Sequence, residues 1–433
     1  MSPVAQQDVQ GNILCGYGRT YRHGLFLFLR VDKPDAARGW LRQRLTEITT
    51  ALPWVEAPPA TLNVAFTFEG LRALGVAEPL LDRFPSDFRQ GMRERAALLG
   101  DVGPSDPDAW EEGLIGVHML VTVNATGPEI RDKRADELKT EAQAHGLGFK
   151  WAQRTAVLGE EGENFGFEHL GFRDGISQPS IRDPNAGPWR RTKSDVPVEP
   201  GEFVLGYEDE GGTLPPAPPV IGANGSFLVV RKLEQDVDGF WAFIEEQAGG
   251  DPDRREWLAA KILGRWKDGT PLALSPDAPD PERAEDLGWL DDFTYAYDPE
   301  GLDCPIGAHI RRTNPRDSID RDWRFTNRHR IIRRGMPYSP DKDEGEDKRG
   351  LMFACYQASI ERQFEFVQSQ WCGDGNAFGL GSDPDFIVGP EAGKMTIQGR
   401  PPTFVPMRRY IRTRGGDYFF APGIAALGQI AGG

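Results

Sequence analysis

The order of predicted elements is repeated within the chain, and this repetition limits the possible folds more than any other feature. An apolar run at residues 23–31 is followed by helix-spaced apolar residues at 35–52. Residues 226–231 and 237–248 repeat that pair of patterns in the second half. Continued along each half, the patterns predict the order strand–helix–strand–strand–helix–strand, which is that of the split βαβ motif.

The predicted elements define the fold class. In the first half we predict strands at 23–31, 61–67, 117–123 and 148–157, and helices at 35–52, 79–99 and 129–145. In the second half we predict strands at 226–231, 293–297, 330–334, 351–359 and 404–420, the last a pair turned at Gly415 and Gly416, and helices at 237–248, 254–266 and 360–371. We therefore expect an α+β protein of two ferredoxin-like domains, with antiparallel sheets and peripheral helices.

A stretch rich in proline and glycine separates the two halves. The chain has 51 glycines and 35 prolines, about a fifth of its 433 residues, and they are dense between residues 183 and 219. This composition is typical of a linker or a long loop. We expect a first domain at 1–185, a linker at 186–219 and a second domain at 220–433.

The charge balance excludes two classes of partner. The chain carries 50 lysines and arginines against 66 aspartates and glutamates, a formal net charge of −16. Nucleic acids and anionic lipid surfaces are bound through basic faces, so neither is an expected partner. The longest nearly apolar stretch is shorter than the ~20 residues that span a bilayer, and no export signal is visible. We expect a cytoplasmic protein, with homo-oligomerisation left open.

Six histidines limit the possible metal and acid–base sites. His309 stands out because Arg311, Arg312 and Arg316 follow it closely, after a Gly-Ala approach that leaves space. One histidine cannot build a four-ligand zinc site, but it can hold a haem iron from one side while arginines bind the propionates. Cys304 is a weaker, thiolate alternative. From these residues alone, haem ligation by His309 and a purely structural role both stay open.

Two further segments place charged residues in settings that suit a buried site. Residues 171–179 read GFRDGISQP, and the glycines on either side of Asp174 allow a close backbone approach, although an ordinary Asp-Gly turn has the same letters. Residues 328–338 read RHRIIRRGMPY and include Arg333 and Arg334 in a predicted strand. Because side chains alternate along a strand, only one of these two arginines can face such a site.

Together the three segments resemble those of the dye-decolourising peroxidases, a family of haem peroxidases. GFRDGISQP resembles the family's G-x-x-D-G signature, HIRRTNPR its proximal histidine stretch and IIRRGMPY its distal arginine stretch. The likeness extends over nearly the whole chain through VQGNIL, LMFACYQ and TFVPMRRYIRTRGGDYFFAPG. It implies two ferredoxin-like domains and one non-covalent haem b, in a pocket of the second. It also implies H2O2 and aromatic electron donors, among them dyes and phenols, as substrates. The longer, intracellular branch of the family is the better match.

The resemblance also implies roles for individual residues. It makes His309 the axial ligand of the haem iron, Asp174 the acid–base residue and Arg333 the group that stabilises charge on the peroxide. Peroxide cleavage needs all three functions. The proximal histidine should donate its second ring N–H to an acid, for which Asp385 is the first choice and Asp383 and Glu365 are alternatives.

Further residues are expected around the cofactor or at the surface. The expected cofactor-binding residues are Ile176, Gln178, the apolar pair Leu351 and Phe353, and Arg311 or Arg312 at the propionates. Bulky dyes cannot enter a pocket sized for peroxide, so the resemblance implies oxidation of such donors at surface aromatic residues, for which Tyr338 and Trp371 are the best-placed candidates. A non-enzymatic haem-binding or haem-handling protein is the alternative function, and a haem-free structural protein is a third. A distal acid–base pair such as Asp174 and Arg333 argues against a mere carrier.

Overall fold

A computed structural model describes residues 3–17, 20–160, 163–183, 196–340 and 348–432 of the protein. The first half forms an antiparallel sheet in the order β4–β1–β3–β2. Its strands are β1 (His23–Val31), β2 (Ala60–Phe66), β3 (Met119–Ala125) and β4 (Leu147–Ala156), followed by the small hairpin of β5 (Leu158–Glu160) and β6 (Glu163–Phe167). Its helices are α1 (Gly11–Leu14), α2 (Pro34–Arg44), α3 (Phe68–Ala73), α4 (Glu78–Leu81), α5 (Ser86–Glu94), α6 (Ala96–Leu99) and α7 (Pro128–Ala144).

The second half repeats the same order with different strands, β13–β7–β10–β8, and β9 also pairs with β10. Its strands are β7 (Ser226–Gln235), β8 (Ile332–Arg333), β9 (Met336–Tyr338), β10 (Gly350–Gln357), β11 (Lys394–Ile397), β12 (Thr403–Pro406) and β13 (Ile411–Ala421). Its helices are α8 (Val237–Ala248), α9 (Pro252–Leu263), α10 (His309–Thr313), α11 (Arg324–Asn327) and α12 (Ile424–Gly432), with π-helical segments at Glu361–Glu365 and Val367–Gly373. Fourth–first–third–second is the ferredoxin-like order, so the predicted fold class is confirmed in both halves.

The two sheets join edge to edge. Phe66 of β2 pairs with Phe420 of β13, which links the halves into one nine-stranded sheet. The apolar run of β1 explains its central position, because nearly every residue of that strand is buried. Both large core clusters take residues from the two halves. Because the two halves share these clusters, the domain boundaries expected at 185 and 220 stay predictions.

Three of the predicted elements are wrong. Residues 293–297 form no strand, and the helix expected at 79–99 is broken into three, with Gly91 at a φ of 75° inside α5. The strand pair expected at 404–420 does not exist either. β12 pairs with β11, and β13 runs without a turn through Gly415 and Gly416 with a bulge beside them. These glycines permit a close approach to β7, since a Cβ on Gly416 would lie 2.2 Å from the carbonyl oxygen of Val230.

The predicted linker is only partly described, because residues 184–195 lie outside the described ranges. Part of the remainder is packed into the protein. Phe203, Val204 and Leu205 are completely buried, and the carboxylate of Glu202 accepts a 2.6 Å hydrogen bond from Arg362. These three residues are apolar although they lie in a proline-rich segment, and this explains their burial. Among the described residues, none of the helices is both long and apolar enough to cross a bilayer.

A pair of glycine substitutions tests the close approach of β13 to β7. Gly416→Ala should lower the free energy of unfolding by about 1–3 kcal/mol, because its methyl group overlaps the backbone of β7. Gly39→Ala is the control. Gly39 lies inside α2 with only an arginine tip near its Cβ position, and alanine there should add about 0.5–1 kcal/mol. Denaturant unfolding of the two variants measures both changes, and a neutral Gly416→Ala would contradict the proposed overlap.

Candidate active site

Residues from three separate elements line one cavity of about 310 Å³. His309 begins α10, Arg333 ends β8, and Asp174 lies on a loop that follows β6. These are the three residues at the centre of the sequence motifs. The fold therefore brings together side chains that are far apart in the chain.

Asp174 and Arg333 form an ion pair inside this cavity. The guanidinium Nη1 of Arg333 lies 2.8 Å from Oδ1 of Asp174, which also accepts a 2.6 Å bond from the Gly175 N–H. Burial raises the pKa of Asp174, but the Arg333 charge and these hydrogen bonds outweigh burial and hold the pKa below its usual value. The Asp174 side chain keeps 38% of its surface accessible, and this surface faces the cavity. The carboxylate is thus ionised and within reach of a small molecule.

The GFRDG segment is folded as a small hairpin. The N–H of Asp174 donates to the carbonyl of Gly166 at 2.8 Å, and Phe167 is bridged to Arg173. Past the hairpin, Ile176 is buried against the same cavity. Gln178 fixes the backbone of Arg333: its amide oxygen accepts the N–H of Arg333 at 3.1 Å, and its amide nitrogen donates to the carbonyl at 3.2 Å. Gln178 therefore lies behind the arginine and orients it.

His309 is held by one carboxylate. Its Nδ1 lies 2.9 and 3.1 Å from the two oxygens of Asp385, which is fully buried. Burial lowers the pKa of His309, but the Asp385 charge and hydrogen bond outweigh it and raise the pKa above its usual value. The two alternatives bind elsewhere: Asp383 accepts from Lys394, and Glu365 accepts from Tyr418. With Nδ1 occupied, Nε2 is the ring nitrogen left for the cavity, and 26% of the side chain is accessible.

Two of the apolar residues that line the cavity come from β10. Leu351 and Phe353 are half-buried and line the cavity, whereas Met352 and Ala354 between them are buried in the core on the other face. This alternation is the ordinary side-chain periodicity of a strand. The predicted apolar pair is therefore placed at the cavity.

The prediction for Arg311 and Arg312 is wrong, because neither lines the cavity. Arg311 donates to the carboxylate of Asp298 at 3.1 Å, and Arg312 donates to the carbonyl of Trp371 at 2.5 Å. On a helix of 3.6 residues per turn, Arg311 lies two positions beyond His309 and points to the opposite side. Arg312, three positions on, is held away from the cavity by its bonds to the carbonyls of Trp371, Asp374 and Asp383. The remaining arginines that line the cavity include Arg231, Arg265, Arg316, Arg330 and Arg409. Arg316 and Arg330 belong to the same two motifs as His309 and Arg333, which is the signal that could have found them.

The expectation that Tyr338 and Trp371 are surface residues is also wrong. Tyr338 is 1% exposed, because β9 pairs it with Gly350 and its ring packs against the ammonium of Lys232 at 4.9 Å. Trp371 is 5% exposed, but it lines a groove of about 510 Å³ together with the exposed residues Pro299 and Ile319. Its ring also lies 5.1 Å from that of His329, which lines the main cavity.

A second cavity of about 450 Å³ adjoins the first. Asp174, Arg333, Leu351 and Phe353 line both cavities, so the ion pair stands between them. Gln178 lines only the second. A small molecule in either space would meet the same carboxylate and guanidinium.

Comparison with known proteins identifies the family. The family model described as DyP dimeric alpha+beta barrel domain matches residues 8–147, and the model described as Dyp-type peroxidase, C-terminal, matches residues 213–378. A dye-decolorizing peroxidase of Mycena epipterygia is 31% identical over 475 residues, which cover 98% of this chain and 86% of that protein. The chain belongs to the dye-decolourising peroxidase family. It is therefore an oxidoreductase with peroxidase activity, and the family resemblance of its motifs is confirmed.

Solved structures of dye-decolourising peroxidases have the same fold. An ancestral D-type dye-decolorizing peroxidase is 31% identical, with a TM-score of 0.84 over 98% of this chain and 99% of that chain. A dye-decolorizing peroxidase in complex with 2,6-dimethoxyphenol is 27% identical, with a TM-score of 0.84 over 99% of both chains.

Dye-decolourising peroxidases are haem enzymes, and the cavity of this chain fits such a cofactor. It offers one imidazole whose other nitrogen is hydrogen-bonded to a carboxylate, as haem-ligating histidines commonly are. It has apolar walls for a macrocycle and arginines for acidic substituents. Cys304 does not suit iron ligation, because burial raises the pKa of its thiol to about 11 and it does not line the cavity.

Proposed function

We propose that this peroxidase binds one haem b non-covalently through His309 and uses it to reduce H2O2 and oxidise dyes and phenols in one-electron steps. The observation that carries the proposal is the shared cavity, in which the Asp174–Arg333 pair and the Asp385-held His309 both lie. When bound, haem iron supplies the redox chemistry that splits a peroxide and withdraws single electrons from a donor.

Asp174 is the proposed proton carrier. As an ionised carboxylate whose surface faces the cavity, it can accept a proton from H2O2 and return it to the departing oxygen. Arg333 favours the negative charge that develops on the peroxide, and its contact with Asp174 keeps that carboxylate ionised. A protein that only carries haem would have no use for this pair, so the geometry favours the enzyme over the carrier.

His309 is the proposed axial ligand, and Asp385 tunes it. The buried carboxylate fixes which ring nitrogen is left for iron and increases the basicity of the imidazole. Arg330, which lines the cavity, is the proposed partner of a propionate in place of Arg311. Arg316 also lines the cavity, but its guanidinium is paired with the carboxylate of Asp291. A cytoplasmic location stays a proposal that rests on the sequence alone.

Two routes are proposed for the electron donors. Small phenols are proposed to reach the cavities directly. That phenols are donors is supported by a related dye-decolorizing peroxidase that forms a complex with 2,6-dimethoxyphenol. Bulky dyes are proposed to bind in the groove beside Trp371, from which aromatic contacts lead through His329 to the cavity. Tyr338 has no such groove and is not proposed as an oxidation site.

The absorption spectrum tests the main proposal. The purified protein should show a Soret band that shifts within the mixing time when H2O2 is added. His309→Ala should lose the bound haem while remaining folded, because the cavity then offers no imidazole. His145→Ala is the control, since His145 lies at the end of α7 and does not line the cavity. Full haem occupancy in His309→Ala with an unchanged ligand-field spectrum would reject the axial assignment.

The two neighbouring arginines provide a second test. Arg333→Leu should slow the reaction with H2O2 by about 100-fold, the order found when one charge-stabilising donor is removed. It should also move the acid limit of the reaction to higher pH, since the loss of the arginine charge and its hydrogen bond leaves less to oppose the rise that burial causes in the pKa of Asp174. Arg334→Leu is the control because Arg334 donates to the carbonyls of Asn12 and Ile13. Stopped-flow rates across pH 3–7 decide the matter, and a larger effect in Arg334→Leu would reverse the assignment.

The groove beside Trp371 predicts a difference between substrates. Trp371→Phe should remove most of the turnover of an anthraquinone-type dye, because phenylalanine keeps the apolar bulk but is much harder to oxidise. The H2O2 step and the oxidation of a small phenol should be nearly unchanged. Tyr338→Phe is the control and should affect neither donor selectively. Steady-state rates on one dye and one phenol measure this, and equal losses on both donors would rule out the proposed route.

A further inference from the structure

Glu168 is a partly buried carboxylate that lines the main cavity but has no part in the proposed proton chemistry. It lies six residues before Asp174, at the start of the hairpin turn. Its two oxygens accept three hydrogen bonds. Oε2 accepts the Leu170 N–H at 2.8 Å and the amide of Gln235 at 2.8 Å, and Oε1 accepts the Phe172 N–H at 3.0 Å.

These bonds close the turn of the hairpin from the inside. The backbone of Glu168 donates to the carbonyl of Phe172 at 3.0 Å and accepts from Gly171 at 2.9 Å. The carboxylate binds two further N–H groups of the turn, those of Leu170 and Phe172. Because Asp174 follows Phe172 by two residues on the returning arm, the shape of the turn determines where Asp174 lies.

The same carboxylate ties the hairpin to the second half. Gln235 is the last residue of β7, and its amide is the donor to Oε2 of Glu168. The tip of the hairpin packs against α8, where Phe172 stacks on Trp241 and the indole N–H donates to the Leu170 carbonyl at 3.1 Å. Arg333 is in the second half as well, so Glu168 joins the arm that carries Asp174 to the sheet that carries its partner.

We propose that Glu168 is a positioning residue, whose carboxylate holds the hairpin so that Asp174 meets Arg333 and the cavity. This inference rests on the proposed role of Asp174 as proton carrier. Its chemical basis is that a carboxylate is the one side chain of this shape that accepts hydrogen bonds at both ends. Burial raises the pKa of Glu168 to about 7, so the ionised form that accepts at both oxygens prevails above that pH, where the variants are to be compared.

Glu168→Gln is the direct test. The amide keeps the size of the side chain but presents N–H groups where an oxygen accepted hydrogen bonds, so a backbone or Gln235 donor then faces another donor. Asp417→Asn is the matched control. Asp417 is also a carboxylate that accepts two backbone N–H bonds, from Met92 and Tyr418, and it does not line the cavity.

Two measurements on the haem-loaded enzyme separate positioning from general support. The first is the stopped-flow rate of the reaction with H2O2. The second is the dissociation constant for cyanide in the resting enzyme, which involves no turnover and requires that the proton of HCN be accepted at the cavity. Glu168→Gln should slow the peroxide rate about tenfold, less than the ~100-fold expected for Asp174→Asn. It should also raise the dissociation constant for cyanide, and the Soret band of the resting enzyme should be unchanged.

The double variant Glu168→Gln/Asp174→Asn decides the question. If Glu168 acts only through Asp174, the double variant should react with H2O2 no more slowly than Asp174→Asn alone. The effects of the two substitutions on the rate are then non-additive. Additive losses, or a loss equal to that of Asp417→Asn, would overturn the positioning role. If Asp174→Asn itself has no effect, the proposed function of Asp174 fails instead. Should Glu168→Gln not fold, Gln235→Met removes one donor to the carboxylate and should show the same non-additivity to a smaller extent, and its absence counts against the proposal.

Discussion

The ion pair between Asp174 and Arg333 connects the two halves of the molecule at the cavity they share. The carboxylate also accepts the Gly175 N–H, and Gln178 holds the backbone of Arg333 through two hydrogen bonds. The Arg333 and Asp174 side chains keep 34% and 38% of their surface accessible, so solvent screens the pair in part and its main effect is to orient the two groups toward each other. The peroxidase therefore depends on a contact that each half can make only when the other is in position.

The surroundings of the pair keep it in register. The hairpin that carries Asp174 comes after the first sheet, yet its apolar tip belongs to the core of the second half, where Leu170 and Phe172 are buried among residues of α8 and α9. On the proximal side, Asp385 approaches His309 from a loop 76 residues further along the chain. The two supports are chemically similar: in each, a carboxylate orients the group that acts, Asp385 fully buried and Glu168 partly so.

Local motifs could be predicted from sequence because their conformation depends mainly on residues within the motif. Asp174, Arg333 and His309 lie within short segments that can be recognised in the sequence by their glycines and arginines. The alternation of side chains along a strand predicted that Arg333 and Arg334 point to opposite faces. Arg311 and Trp371 could not be placed in this way. The direction of a side chain on a five-residue helix, or the burial of an indole in a π-helical turn, depends on packing against distant parts of the chain. For the same reason, Gly415 and Gly416 read as a turn, although their actual role is to let two strands approach closely.

The position of β13 has a consequence for how the protein is made. This strand is the neighbour of β7 and also meets β2, and α12 behind it reaches α2, where Arg42 donates to the carbonyl of Ala431 at 2.7 Å. The second sheet therefore cannot close until β13 has been synthesised, and β13 follows its neighbour β7 only after all of β8 to β12. Folding must await pairings between residues very distant in sequence, which are slow to form. The nascent protein thus exposes the edges of β7 and β2 until then, and a cofactor added during translation would find its pocket incomplete.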